Sequence, residues 1–200
     1  MEKVKLKTEY LELLKLSYDE LVKYLLDKYG AVQGDYFRNE KCISKNNKIS
    51  RMSEGLFCHH IDEIKAILLS TREYAQANPF EYQKAHRLVY CDTMEHLILH
   101  TKIVRERSCI NSDVGMGGVE MISSQLNGFY MSKERERKDW RANANRVVKG
   151  QYDIYLFIMR DFLDYLKTDE LYKTRDNEKI LSSNWNGDSY YKIYNDFINR

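Results

Sequence analysis

The sequence predicts an α+β protein, predominantly helical, in which a small strand–strand–helix unit is embedded between N-terminal and C-terminal helical segments. Three observations carry this reading. Apolar residues recur at helical spacing over 8–29, 94–104 and 151–167. Only two short stretches, 55–61 and 88–91, read as strands. All five histidines lie between His59 and His100, across those strands and the helix that follows them. The organisation expected is an N-terminal helical element and loop at 1–50, the strand–strand–helix unit at 51–110 and a C-terminal helical region at 111–200.

Along the chain, Ser17 with Glu20 makes a capping-box pattern, so residues 8–29 divide into two helices, and Gly30 stands where a C-cap is expected. From 31 to 51 the pattern dissolves into Gly, Asn, Ser and Lys, which reads as loop. Gly55-Leu56-Phe57-Cys58-His59-His60-Ile61 is short, apolar and aromatic, as a strand would be. Helical turns are expected at 63–69, with a break at Asn78-Pro79. Leu88-Val89-Tyr90-Cys91 is the second strand, and Asp92 with Glu95 caps a helix over 94–104. The glycine-rich stretch 113–118 matches no phosphate-binding motif and reads as a hinge or tight turn. Residues 131–149 are dense in charge, 151–167 form an amphipathic helix, and a last short helix ends at Arg200 after a polar break at 184–187.

Composition narrows the function classes. With 43% hydrophobic and 31% charged residues, the 200-residue chain is ordinary for a globular protein and long enough to bury a core. A net charge of +2 gives no overall basic field, so any nucleic-acid surface has to be local. Sixteen tyrosines and a single proline suit a compact helical chain. Cys42, Cys58, Cys91 and Cys109 form no CxxC pair, which speaks against a zinc ribbon. The N-terminus lacks the apolar core of a signal peptide, and no apolar run is long enough to span a bilayer. The expectation is a cytoplasmic protein with no membrane partner.

His96 and His100 are four residues apart on a helix, so both project from one face and can hold one metal ion. His59 and His60 are neighbours on a strand and point to opposite faces. One of them can join the helix pair while the other faces a substrate cleft. Three ligands with an open position is the pattern of a catalytic metal, although the same histidines can also make a structural zinc site. Asp62 and Glu63 either extend the metal shell or are exposed loop carboxylates.

Strand, long loop, strand and helix, with a His-His opening and an H-x-x-x-H close, resemble the HNH or His-Me finger endonuclease superfamily, whose unit is a ββα-metal finger. The resemblance covers residues 55–104. Leu-Val-Tyr-Cys-Asp-Thr-Met-Glu-His at 88–96 is similar to that family's passage from strand to helix. It implies that His59, His96 and His100 are metal ligands and that His60 is the general base. Where the family carries an asparagine that fixes the loop and aims the base, this chain has Arg87, with His86 beside it. With the register shifted by one, His86 takes over that task by hydrogen-bonding a loop carbonyl; otherwise the base is held differently, or not held, and Arg87 counts with His86 among the candidate catalytic residues.

The implied activity is hydrolysis of a phosphodiester of nucleic acid, DNA ahead of RNA, in restriction, phage defence or a mobile element. The implied cofactor is one divalent ion: Mg²⁺ or Zn²⁺, with Mn²⁺ or Ni²⁺ as further options. Arg105 and Arg107, just beyond the metal helix, are placed to reach the scissile strand. Arg135, Arg137, Lys138 and Arg141 in the charged run either track phosphates or form a solvated helix face laced with ion pairs. A homodimer would bring two sites to two strands. The rival reading is a non-catalytic module, binding nucleic acid or protein, whose histidines hold a structural zinc.

Overall fold

Ser17 and Asp92 each close a capping box, and the helices they start frame the fold. The structure, a computed structural model, describes residues 2–107, 112–131, 140–175, 177, 193 and 195–197. Helix α1 (Glu2–Leu13) and helix α2 (Tyr18–Tyr29) meet at Ser17, whose side chain accepts from the Glu20 amide while the Glu20 carboxylate accepts from the Ser17 amide. Gly30 ends α2, its amide donating to the Leu26 carbonyl. After an irregular stretch, strands β1 (Phe57–His60) and β2 (Leu88–Cys91) pair antiparallel, Phe57 opposite Cys91 and His60 opposite Leu88.

Between the strands lie a 3₁₀ turn at Ile61–Ile64, the short helix α3 (Arg72–Gln76) and 3₁₀ turns at Phe80–Gln83 and Ala85–Arg87. The helical turns expected at 63–69 therefore fall on both sides of that span. Leu68, with φ of 55°, interrupts it, and the helix starts only beyond Thr71. Helix α4 (Thr93–Glu106) follows β2 after Asp92. The glycine-rich stretch makes a turn at Val114 and Gly115 and then enters helix α5 (Met116–Met131), so its last glycines are helical. Helices α6 (Trp140–Val148) and α7 (Tyr152–Leu166) complete the described elements. The polar break at 184–187 lies outside the described residues, and the last short helix is described only at 193 and 195–197. The described residues are mostly helical with one small antiparallel sheet, as the sequence predicts. Among the described residues no helix is long and apolar enough to cross a membrane.

The apolar core gathers around α4. Leu97, Ile98, Leu99, Ile103 and Val104 are fully buried, and α1, α2, α5, α6 and α7 all pack against this helix. A helix covered on nearly all sides has no water to satisfy its end groups, so protein must do it. At its start, Asp92 accepts from the Met94 and Glu95 amides, and Glu95 accepts from the Asp92 amide. Both carboxylates are buried. Tyr10 of α1 donates to Asp92, while Lys28 and Tyr29 of α2 donate to Glu95 at 2.6 and 2.9 Å. Burial, then the Asp92 charge, push the Glu95 carboxyl up to about 8 against the pull of Lys28. At the far end, Lys102 donates to the Leu14 carbonyl and Glu106 accepts from the Tyr18 amide. The α1–α2 pair is thus stapled to both ends of α4.

Lys28→Met should destabilise the fold by about 3 kcal/mol above about pH 8, where Glu95 is ionised and loses its cation, and by less at neutral pH, where the raised carboxyl takes a proton instead. Urea unfolding followed by circular dichroism measures the loss, and a change within about 0.5 kcal/mol, as for an ordinary surface site, would refute the role given to this pair.

Candidate metal centre

Alternation along β1 sorts its side chains. Phe57 and His59 face α4, and Cys58 and His60 face the other way. The His59 ring lies 5.2 Å from each of His96 and His100, which are themselves 5.0 Å apart on α4. One ring nitrogen from each of the three falls within 4.8 Å of the others, so the group can hold a metal ion. Nitrogens around one zinc ion at ordinary bond lengths stand about 3.3 Å apart, so the rings must draw together to close on an ion. His59 and His100 are buried, and the Nδ1 of His59 has no hydrogen-bond partner among the described residues. A buried acceptor left unpaired is costly, and a cation would satisfy it.

The partners of His59 fix its tautomer. Tyr18 of α2 donates its one hydroxyl proton to the Ile61 carbonyl at 2.9 Å. Its oxygen, 3.0 Å from His59 Nε2, must therefore accept from that nitrogen, which leaves the Nδ1 lone pair bare. A ligating imidazole commonly gives its other N–H to such a partner. Burial, then the neighbouring histidines, hold His59 and His96 well below the usual imidazole range, so both are neutral at pH 7 and fit to ligate.

His60 stands apart from the three, buried on the opposite side with Tyr36 against it at 4.4 Å between ring centres. Gln83 holds it. The Gln83 amide nitrogen donates to the Leu69 carbonyl, which turns its oxygen to His60 Nε2 at 2.9 Å. Nε2 is then the protonated nitrogen and Nδ1 carries the free lone pair. Burial keeps this ring below the usual range as well, with Glu63 and Gln83 opposing.

Arg87 donates twice to the buried Asp62 in the turn directly after β1, so β1 and the approach to β2 are tied together. His86 takes no part, contrary to the expectation that included it. It sits on the exposed end of its turn, paired with Glu81. The placement of Arg107 also corrects the expectation of a phosphate contact. Its side chain is 3% exposed and paired with Asp169. Arg105 pairs with Asp161 of α7, and neither arginine lines the cleft at the histidines. Arg141 is exposed on α6, while Arg135, Arg137, Lys138 and Cys109 lie outside the described residues.

Glu63, Gln83, Tyr18 and Gly118 complete the surroundings, and of these only Glu63 had a signal in the sequence, as a carboxylate near the His-His pair. Gly118, in the first turn of α5, lies on the His100 ring. A Cβ there would come 2.1 Å from His100 Nδ1. Gly115, at φ of 87°, likewise lets the chain approach Ile103 of α4. A cleft of about 440 Å³ opens onto the histidines, walled by Tyr36, Ile67, Leu68 and Met121. Cys58 also lines it, but burial pushes its thiol up to about 12, which disfavours the thiolate a metal needs.

Comparisons with protein-family models, with curated proteins and with solved structures return no match.

Two measurements test this geometry. Gly118→Ala should weaken Zn²⁺ binding roughly tenfold or more, as displacement of a ligand's support does, even though alanine favours a helix. Calorimetric titration reads this, and wild-type affinity would refute the packing of α5 on His100. In EDTA, His59 and His96 bind fewer protons in the folded chain than in the unfolded one once pH drops below 6.5. Their contribution to stability is whole above that pH and is lost as pH falls toward the depressed values. The loss should reach roughly 1.4 kcal/mol for each ring at about pH 5.5, read by urea unfolding. Stability that stays flat between about pH 7 and pH 5.5 would contradict neutral buried rings.

Proposed function

We propose that the protein is a metal-dependent endonuclease that hydrolyses phosphodiester bonds of nucleic acid, DNA ahead of RNA, with residues 55–104 as a His-Me finger. The observation that carries this reading is the division of histidines across one strand. His59 joins His96 and His100 on one side. His60 stands alone on the other, neutral and with Nδ1 uncommitted. A scaffold needs only the first set, whereas hydrolysis needs both.

A divalent ion held by His59, His96 and His100 would supply positive charge to the phosphoryl oxygens and the leaving oxygen. Zinc and nickel suit three imidazoles by ligand type, and Mg²⁺ and Mn²⁺ stay in view through the family resemblance. His60 takes a proton from water at Nδ1 as the water attacks phosphorus. Gln83 accepts from Nε2 throughout, so the ring stays oriented and its charge, once protonated, is partly stabilised. Arg87 and Asp62 hold the turn that follows His60, which keeps the base from swinging away. The setting in restriction, phage defence or a mobile element, and a homodimer, rest on the resemblance alone.

A second reading, a binding module stapled by a structural zinc, draws on Arg105 and Arg107. Both are committed to carboxylates away from the cleft, which removes two expected phosphate contacts.

The deciding experiment is cleavage of plasmid DNA, and of RNA, by wild type and His60→Ala with EDTA, Mg²⁺, Mn²⁺, Zn²⁺ or Ni²⁺. Metal-dependent nicking should fall by about 10²-fold or more in His60→Ala, with metal affinity unchanged. Gln83→Ala should lose part of the rate. Nicking that survives His60→Ala would remove it as the base, and no cutting of either nucleic acid by metal-loaded protein would favour the zinc-stapled module.

A further inference from the structure

The geometry points to Glu63 as a fourth metal donor beside the three histidines, set at the mouth of the cleft where an incoming oxygen ligand can displace it. The inference rests on His59, His96 and His100 binding a metal, and not on hydrolysis. Glu63 Oε2 lies 3.5 Å from His59 Nδ1 and 3.3 Å from His100 Nε2. His59 Nδ1 carries a bare lone pair, because its other nitrogen is given to Tyr18. A carboxylate oxygen and an imidazole lone pair then face each other, both acceptors, with no proton to share. Convergence of that kind is repulsive without a cation between them and favourable with one.

The neighbouring carboxylate shows the contrast. Asp62 is fully buried and its oxygens are taken up by Arg87 and Lys65. Glu63, one residue on, makes no side-chain hydrogen bond among the described residues, and its side chain is 13% exposed at the mouth of the cleft. A small rotation can therefore carry it onto an ion without breaking another contact. The added charge also suits the site: three neutral imidazoles leave a bound dication uncompensated in a buried place, and one carboxylate halves that charge. Oxygen Oε1 of the same carboxylate lies 3.9 Å from His60 Nδ1, so a single side chain spans the metal group and the isolated histidine.

Co²⁺ is the probe, because its visible absorption reports coordination number and donor type independently of any activity. Wild type should take up one Co²⁺ with the intense bands of a four-coordinate ion. Glu63→Gln, nearly isosteric, should lower the affinity roughly tenfold or more and change the bands. Glu63→Asp, which keeps the charge but draws it back by one methylene, should fall between them. If Glu63→Gln melts early by circular dichroism, the aspartate variant decides the matter. Wild-type affinity and spectrum in the variant that stays folded would overturn the role of Glu63 while leaving the histidine site standing. Wild type that takes up no Co²⁺ would overturn both.

Discussion

The buried carboxylates of Asp92 and Glu95 are the constraint on which the rest of this structure depends. They begin α4, and α4 is enclosed by other helices over most of its surface. A helix start in that position presents amides that water cannot reach, and Asp92 and Glu95 supply the acceptors. Two carboxylates without solvent are themselves unfavourable unless hydrogen bonds and a cation surround them. Tyr10, Lys28 and Tyr29 provide these from α1 and α2. The N-terminal helices are therefore part of the same electrostatic unit as the histidine helix.

That unit sets the precision of the histidine group. The two strands are four residues each and would not persist as an isolated ribbon. They hold because β2 runs directly into the capped start of α4 and packs on α2. Tyr18 extends the support to the histidine group, reaching from α2 to His59 and the Ile61 carbonyl. Lys102 and Glu106 fasten the other end of α4 to the junction between α1 and α2. Both walls of the histidine group are braced by the same helical pair, which is how a short finger can hold three rings within reach of one ion.

The arginines next to the histidine unit are committed to carboxylates of the same chain. Arg87 serves Asp62, Arg105 serves Asp161 and Arg107 serves Asp169. What faces the cleft is mostly apolar and histidine, with Glu63 and Asp113 as its carboxylates among the described residues. In such surroundings, charge brought by an ion acts with little screening, and a carboxylate beside the ion changes the site's affinity directly.

The parts of this protein legible in the sequence are those with local causes. Ser17 with Glu20 and Asp92 with Glu95 announce two helix starts because a capping box is complete within four residues. His96 and His100 share a face because the helix repeats every 3.6 residues, and His59 and His60 part company because a strand repeats every two. His86 and Arg107 turn away from the histidine group for the complementary reason. Nearness in sequence to a histidine motif says nothing about which way a side chain turns, and their partners, Glu81 and Asp169, were chosen by packing. Gln83, Tyr18 and Gly118 carry no local mark at all. Each acquires its place when a separate element is brought against the finger: the turn before β2 onto His60, α2 onto His59 and α5 onto His100. The sequence alone thus determined the helical class, the strand–strand–helix order and that one of His59 and His60 can meet His96 and His100. Tertiary structure decided which nitrogen of His59 and of His60 is free, and which of two adjacent carboxylates faces the metal group, because those outcomes depend on hydrogen-bond partners far away along the chain.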